Sequence, residues 1–291
     1  MRGLGTSSGA VTLVNALSTG IGCAVAISLP VRAELELRRT EELGARRIQV
    51  ERGTDTPLVR ETLEAGLSRF APGETFTGEL RVMSEVPIGK GLKSSSAVGG
   101  AILRAVASAL HRPRSPEELA RLAADVAQQI GLSATGAYDD CLAALRGGLV
   151  LTDNARRAPL RTPAFNFDLN VVLWIPPGSH TPSSEWLGRF REDPGAGRAA
   201  VEAVRAGRWS EAMTMNTELV ERILGYDYGA LRRALAQHGA TMCGVSGMGP
   251  ALAALVPPES TQSVCAQLPA GAGEVKVVKI RPTEDASKED S

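Results

Sequence analysis

The chain has 291 residues, room for one large or two ordinary domains, with 43% hydrophobic and 22% charged residues, the composition of a soluble globular protein. Its formal net charge is zero, so no basic field recruits nucleic acid or anionic lipid. No run of about eighteen uncharged apolar residues occurs, which predicts no membrane span. The N-terminal "MRGLGTSSGAVTLVNALSTG" has no basic region followed by a solid apolar core, so no signal peptide is expected.

The predicted elements begin with "AVAISLPVRAELELRR", whose alternation at Ala33-Glu34-Leu35-Glu36-Leu37 is that of a strand. Residues 39 to 52 are charged and are expected to form an exposed hairpin or edge. "TPLVRETLEAGLSRF" has helical spacing at Leu58, Leu63 and Leu67. "ETFTGELRVMSEVP" alternates again, at Phe76, Leu80, Val82 and Val86, and Pro87 ends it. Ser94 to Leu110 is rich in alanine and leucine, which favours helix. "SPEELARLAADVAQQIG" is a helix with punctuation at both ends. Ser115 is the N-cap, Pro116 the first helical residue, Glu118 suits a capping box, and Gly131 stops it. Cys23, Cys141, Cys243 and Cys265 lie far apart with no Cys-x-x-Cys, which points to a reduced, cytoplasmic protein. His111, His180 and His238 are isolated as well, against a zinc site.

A short helix from Asp139 to Leu145 precedes Gly147-Gly148, and the strand "GLVLTD" follows. The irregular stretch 155 to 169 is expected to hold a domain boundary, dividing 1–158 from 159–282. Beyond it come a buried strand, "LNVVLWIPP", and two or three helices through "GRAAVEAVRAG", "WSEAMTMNTELVERIL" and "YGALRRALAQHG". "TMCGVSGMGPALAALVP" is strand, glycine turn, strand; "STQSVCAQL" is a short helix and "EVKVVKIRP" a final strand. The order β, helices, β, β, α, β suits an α+β sandwich of ferredoxin-like type. Residues 283–291 are polar and expected to be a disordered tail.

Four stretches carry candidate chemistry. In "PIGKGLKSSSAVGGA", residues 87 to 101, a strand ends in proline and small residues feed a helix start. Glycines there let the backbone approach a ligand, and the first helical N–H groups favour an anion. The stretch is also compatible with a plain turn. "GLSATGAYDDCLAALRGG" puts Asp139 and Asp140 where a loop meets a helix. A carboxylate there can orient a hydroxyl nucleophile and accept its proton, or merely cap the helix. "GVSGMGPA" is a glycine turn, either a tight hairpin or a ligand loop. The early segment 9–22 holds Thr12, Asn15 and Thr19, which suit a polar substrate or ordinary turns.

Together these segments resemble the GHMP kinases, whose signature P-x-x-x-G-L-[GK]-S-S-[AS]-A is fitted by Pro87, Gly91, Leu92, Ser94, Ser95 and Ala97. "GLKSSSA", "GAVTLVNALSTG", "TGAYDD" with "GGLVLTDN", and "GVSGMGPALAAL" are similar to the archaeal-type shikimate kinases. The resemblance runs from residue 9 to about 255 in the expected order. It implies an N-terminal domain like ribosomal protein S5 domain 2, a ferredoxin-like C-terminal domain, and ATP in the cleft between them. It implies ATP-dependent phosphorylation of the 3-hydroxyl of shikimate, a step toward chorismate and aromatic amino acids.

Roles follow by position. The phosphate loop is Pro87, Ile88, Gly89, Lys90, Gly91, Leu92 and Lys93, running into Ser94, Ser95, Ser96 and Ala97. Ser95 matches a serine that touches Mg2+. Asp140, seven residues before Gly147, matches the catalytic aspartate. Thr12, Asn15, Thr19, Asp139 and Ser246 are the expected substrate contacts. Some positions depart from the family pattern. Ile21 stands between Gly20 and Gly22 where the family tends to carry lysine, and Met248 replaces a threonine. Gln129 stands where several GHMP kinases place a metal-binding glutamate, which leaves Asp125 as the nearest substitute. An anionic ring substrate also asks for a cation, for which Arg2, Lys90 and Lys93 are candidates. A homoserine or cyclitol kinase and a non-catalytic sensor of the same fold are the alternatives. Nothing in the sequence fixes the oligomeric state.

Overall fold

The computed structural model describes residues 1–41, 47–165, 168–178 and 184–284. The first half runs β1 (Arg2–Val14), β2 (Ile21–Arg39), β3 (Arg47–Val50), α1 (Pro57–Phe70), β4 (Phe76–Ser84), α2 (Ser94–Ala109), α3 (Pro116–Gln129), α4 (Tyr138–Arg146), β5 (Leu149–Asp153) and β6 (Ala158–Leu160). Its sheet has the order β3-β4-β2-β5-β6, with β1 also paired to β2. β2 is the spine: Val31–Arg39 pairs with β4 and Ile21–Val25 with β5, while β1 runs antiparallel along it. β3 is an edge strand parallel to β4. β6 extends the sheet from β5, so this sheet spans both sides of the 158/159 position.

The Ser115 cap and Pro116 start form as the sequence predicts, and α1 is opened in the same way. The Thr56 and Ser115 hydroxyls accept from Val59 N and Glu118 N, and Pro57 and Pro116 open their helices. Only half of the capping box closes, because the Glu118 carboxylate pairs with Arg114 at 3.6 Å.

β1 has no counterpart among the predicted elements: the glycine- and serine-rich start is a thirteen-residue strand. The glycines are demanded by a close neighbour. A Cβ on Gly3 would overlap the backbone at Ala105 and Ala109, and one on Gly5 the backbone at Ala101 and Ala105. Small residues on α2 and no side chain on β1 let helix and strand backbones nearly touch, and packing at this density tolerates no added methyl.

The second half runs β7 (Asn170–Ile175), α5 (Ser184–Glu192), α6 (Pro194–Arg205), α7 (Trp209–Leu224), α8 (Gly229–Gln237), β8 (Met242–Val245), β9 (Leu252–Val256), α9 (Thr261–Cys265) and β10 (Glu274–Lys279). The strands form an antiparallel sheet of order β10-β7-β9-β8, as the element order predicts. Four helices rather than two or three fill the crossover. α5 escapes sequence reading because it lacks a regular apolar stripe and Phe190 is its one fully buried side chain among the described residues. β7 alternates between two apolar clusters. Val171, Leu173 and Ile175 join the core that continues into the first half, and Val172 and Trp174 face Leu219, Val220 and Ile223 of α7.

After β10 the chain returns to the first sheet. Ile280 bridges Ile27, Arg281 N donates to Ala26 O, and Gly148 N donates to Arg281 O. A Cβ on Gly147 or Gly148 would strike Pro282 or Thr283, so the glycine pair makes room for this crossing. The expected disordered tail is corrected at its start: Glu284 is held by Arg104 and Arg281 and donates its backbone N–H to Arg146 O. Residues 285–291 lie outside the described residues. Among the described residues, no helix is long and apolar enough to cross a membrane.

Candidate active site

The 85–93 loop joins β4 to α2 and is pinned at both ends. Val86 and Leu92 are buried, Ala10 N donates to Leu92 O at 3.3 Å, and Ile88 at the tip is 83% exposed. Between them the loop seats on the β8–β9 turn of the second sheet. The Ser246 hydroxyl donates to Gly91 O at 2.7 Å, and Ala251 N donates to Lys90 O at 3.2 Å. Gly91 has φ +78°, and a Cβ there would overlap Ser246 O. Glycine is therefore required twice at this position, by conformation and by space. The Lys90 ammonium donates to the carbonyls of Pro176 and Gly178 beyond β7.

α2 starts without a side-chain cap. Lys93 at its head is left-handed, with φ 69°, and the first helical bond runs from Ala97 N to Lys93 O. The N–H groups of Ser94, Ser95 and Ser96 therefore stand ahead of the helical ladder, at the positive end of a sixteen-residue helix. Such a helix start suits an anion.

The Lys93 side chain turns to α4, where Nζ lies 3.2 Å from Asp140 Oδ1. Both side chains are nearly buried, at 8% and 14% exposure. Burial lifts the Asp140 carboxyl to about 7; Lys93 opposes the shift and Asp139 adds to it. The residue is thus poised between acid and base near neutrality. Asp139 faces elsewhere. Its Oδ1 accepts from Asn154 Nδ2 at 2.8 Å and its backbone N donates to Asn154 Oδ1 at 3.2 Å. Thr152 donates to the same Asn154 oxygen at 2.7 Å. A Cβ on Gly22 would overlap the Asp139 carboxylate, so Gly22 opens the space it fills. Burial pushes the neighbouring Cys141 thiol up to about 12, so it is protonated at neutral pH and no nucleophile.

Of the remaining expected contacts, Thr12, Asn15 and Ser246 fall along the same seam. Thr12 N donates to Ser246 Oγ at 3.2 Å, which leaves the fully buried Ser246 hydroxyl bridging Thr12 and Gly91. Asn15 Nδ2 donates to Gly247 O at 3.0 Å, and its backbone N donates to Asn216 Oδ1 at 2.7 Å. A Cβ on Gly247 would lie 2.9 Å from Lys93 Nζ, which ties this group to the ion pair. The Thr19 hydroxyl closes a local turn, accepting from Ile21 N at 3.1 Å.

Two charges do not join the others. Asp125 is 64% exposed on α3 and pairs with Arg157 at 3.3 Å. That guanidinium also donates to Gln128 Oε1 and to the carbonyls of Thr135 and Asn154, so it straps the loop leading into α4. Arg2 pairs with Glu36 at 3.0 Å on the sheet, and is itself 83% exposed. Sequence reading missed Asn154, Arg157 and Asn216. Asn154 alone left a local signal, since Thr152 and Asn154 alternate onto one face of a strand end. Among the described residues, no group of three His, Cys, Asp or Glu is gathered to hold a metal.

Residues 57–148 match the family described as GHMP kinases N terminal domain. The shikimate kinase of Pyrococcus furiosus is 34% identical over 266 residues, which cover 91% of this chain and 95% of the relative. That of Thermococcus kodakarensis is 37% identical over 253 residues, covering 86% and 90%. In fold, the chain is similar to the mevalonate kinase of Methanococcus jannaschii, with TM-score 0.73, 15% identity, and 96% and 98% of the two chains covered. It is similar also to the homoserine kinase of Cytophaga hutchinsonii, with TM-score 0.71, 18% identity, and 97% and 96% covered.

Proposed function

The chain belongs to the GHMP kinase superfamily and, within it, to the archaeal shikimate kinases, and from that premise we propose that it transfers the γ-phosphate of ATP to the 3-hydroxyl of shikimate. It is an ATP-dependent small-molecule kinase. The observation that carries the mechanism is the Lys93–Asp140 pair at the uncapped start of α2. Phosphoryl transfer asks a protein for position and charge more than for covalent chemistry.

In this reading the ATP phosphates lie against the N–H groups of Ser94, Ser95 and Ser96, with the Gly89–Gly91 backbone close beside them. The acceptor hydroxyl lies next to Asp140. The carboxylate aligns it and takes its proton as the new bond to phosphorus forms. Lys93 favours the ionised form of that carboxylate and sets a positive charge beside the oxygens of the moving phosphoryl group. Thr12 and Asn15 border the acceptor. Asp139 positions α4 through Asn154, and Ser246 positions the loop through Gly91.

Magnesium on the ATP phosphates would add charge stabilisation for the transferred group. It keeps most of its waters and takes one or two protein oxygens. The exposed Ser95 hydroxyl in the first turn of α2 fits that need. Asp125, committed to Arg157, is a strap for the α4 loop. The test is a coupled ATP-consumption assay with shikimate, homoserine, mevalonate and galactose. Turnover with shikimate, giving shikimate 3-phosphate, is expected. Much faster turnover of another alcohol overturns the acceptor assignment and leaves the superfamily standing.

A further inference from the structure

Asn216 is a polar side chain on a buried helix face. Around it on α7, Ala212, Met213, Leu219, Val220 and Ile223 are all buried, and Asn216 itself is 2% exposed. The neighbouring Thr217 has a plain structural duty, because its hydroxyl accepts from Val245 N at 3.0 Å. Asn216 is only half used. Its Oδ1 accepts from Asn15 N at 2.7 Å. A backbone N–H can only donate, so the end of the amide that faces it is the oxygen. The other end is therefore an NH2 group. That Nδ2 is buried and has no partner among the described residues.

The position of this donor is informative. Asn15 joins Asn216 to Gly247, and Gly247 packs against the Lys93 ammonium that pairs with Asp140. Thr12, whose backbone is held by Ser246, carries a second buried polar atom, Oγ1, with no partner among the described residues. A buried donor left unpaired is destabilising, so a ligand that pairs it gains. Here that donor borders a site whose acceptor is rich in oxygen.

We propose that Asn216 determines acceptor specificity: its Nδ2 donates a hydrogen bond to an oxygen of the bound acceptor, a hydroxyl or carboxylate, and disfavours an acceptor that places an ammonium there. This rests on the seam being the acceptor site of the kinase. Both an amide NH2 and an ammonium only donate, so facing each other they leave two donors unpaired. Shikimate carries hydroxyls and a carboxylate and no amine. Homoserine carries an ammonium. The residue thus separates the two acceptors by polarity, independently of size. Mismatched hydrogen bonding of this kind discriminates far better than a missing methylene.

The test uses Asn216→Asp and Asn216→Leu in the full chain. Asn216→Asp keeps an oxygen for the Asn15 N–H and replaces the donor with a charged acceptor. It is assayed at about pH 9, where even a raised carboxyl is ionised. Both variants are expected to raise the KM for shikimate about tenfold, the worth of one hydrogen bond, with the KM for ATP unchanged. In Asn216→Asp the ratio of kcat/KM for homoserine over shikimate is expected to rise. A wild-type shikimate KM in Asn216→Asp overturns the proposal, whatever the Leu variant does, because the residue then acts only on the Asn15 backbone. A wild-type preference for homoserine overturns both readings; if the wild type prefers mevalonate or galactose, the acceptor reading has failed and not this one. The KM for that alcohol is then the readout: a rise of about tenfold supports the donor role, and an unchanged value overturns it.

Discussion

Lys93 Nζ and Asp140 Oδ1 lie 3.2 Å apart, and that ion pair joins the heads of two helices. Both helices are entered through a left-handed residue that is not glycine, Lys93 at φ 69° before α2 and Ala137 at φ 51° before α4. Each such residue costs on the order of 1–3 kcal/mol and persists where its surroundings over-determine it. Here the surroundings are visible. Ser246 and the β8–β9 turn grip the loop before Lys93, and Arg157 straps the loop before Ala137. The two halves of the chain thus aim the ammonium and the carboxylate at one point.

The raised carboxyl gives a pH prediction with a definite sign. Asp140 titrates near 7 in the fold and from 3.8 otherwise. Below about 7 it is protonated and cannot take the acceptor's proton, so kcat/KM is expected to fall about tenfold per pH unit on the acid side. Stability runs the other way. Between about pH 4 and 7 the folded state holds a proton that the unfolded chain has released, so this group's contribution to stability falls as pH rises through that window. Rate profiles and urea melts between pH 5 and 8 check both slopes; an acid limb absent from kcat/KM removes Asp140 as the base.

Lys93→Met deletes the charge and keeps much of the volume. Because Lys93 holds the Asp140 carboxyl down, its loss should move the acid limb of the rate profile upward in pH as well as lowering kcat. A lysine that only binds phosphate would change the KM for ATP and leave the limb in place. The two roles are therefore separated by one profile.

Much of this architecture is legible in the sequence where the cause is local. Ser115 and Pro116 announce α3 because a cap and its helix are neighbours in the chain. The 87–97 loop and the Asp pair announce themselves as small residues and carboxylates at helix starts. What escapes has a distant cause. Gly3 and Gly5 announce no strand, because what demands them, Ala101 and Ala105 of α2, is distant in the chain. Asn216 reads as an ordinary helix residue because its partner, Asn15, is 201 residues away. Asp125 and Arg2 mislead for the opposite reason: a charge in a sequence does not say which way it will face.

Gly5→Ala is expected to destabilise the fold by about 1–3 kcal/mol or more, since the added methyl meets helix backbone that cannot rotate away. Chemical denaturation should show a lower midpoint with an unchanged slope. At the same position on the next inward-facing pair, Gly3→Ala should do likewise. Wild-type stability in both would mean that α2 lies farther from β1 than the structure has it.

Gly91→Ala tests the junction between loop and turn. The variant must adopt φ +78° and displace Ser246 O, in the residue whose hydroxyl also donates to Gly91 O. The loop should lift, and ATP affinity should fall by more than tenfold, about 1.4 kcal/mol, in a protein whose circular dichroism is that of the wild type. Calorimetric titration with ATP measures it. Gly89→Ala, at the exposed loop tip, is the control for strain alone, because Gly89 has a similar φ of 69°. Equal losses in both variants would assign the effect to backbone conformation and take the Ser246 contact out of the explanation.

Asp140 and Asp139 can be told apart by matched substitutions. They are consecutive at the start of α4, about 100° apart around the helix. One meets Lys93 and the other meets Asn154. Asp140→Asn keeps the shape, removes the basicity, and leaves Lys93 without its counter-charge. Its kcat should fall by about 10²- to 10⁴-fold, the usual worth of a general base, with ATP affinity close to wild type. Asp139→Asn sets an amide against the Asn154 amide, where Oδ1 now accepts. One rotamer of the new side chain still presents an oxygen to Asn154 Nδ2, but its NH2 then occupies the pocket left open by Gly22. The expected result is a loss of about 1–3 kcal/mol of stability from an unpaired buried donor, with a much smaller change in kcat. Thermal melts and steady-state rates on both proteins decide between the roles. The reverse pattern, with Asp139→Asn inactive but stable and Asp140→Asn active, would exchange them, and the acceptor would then have to enter from the Asn154 side of α4.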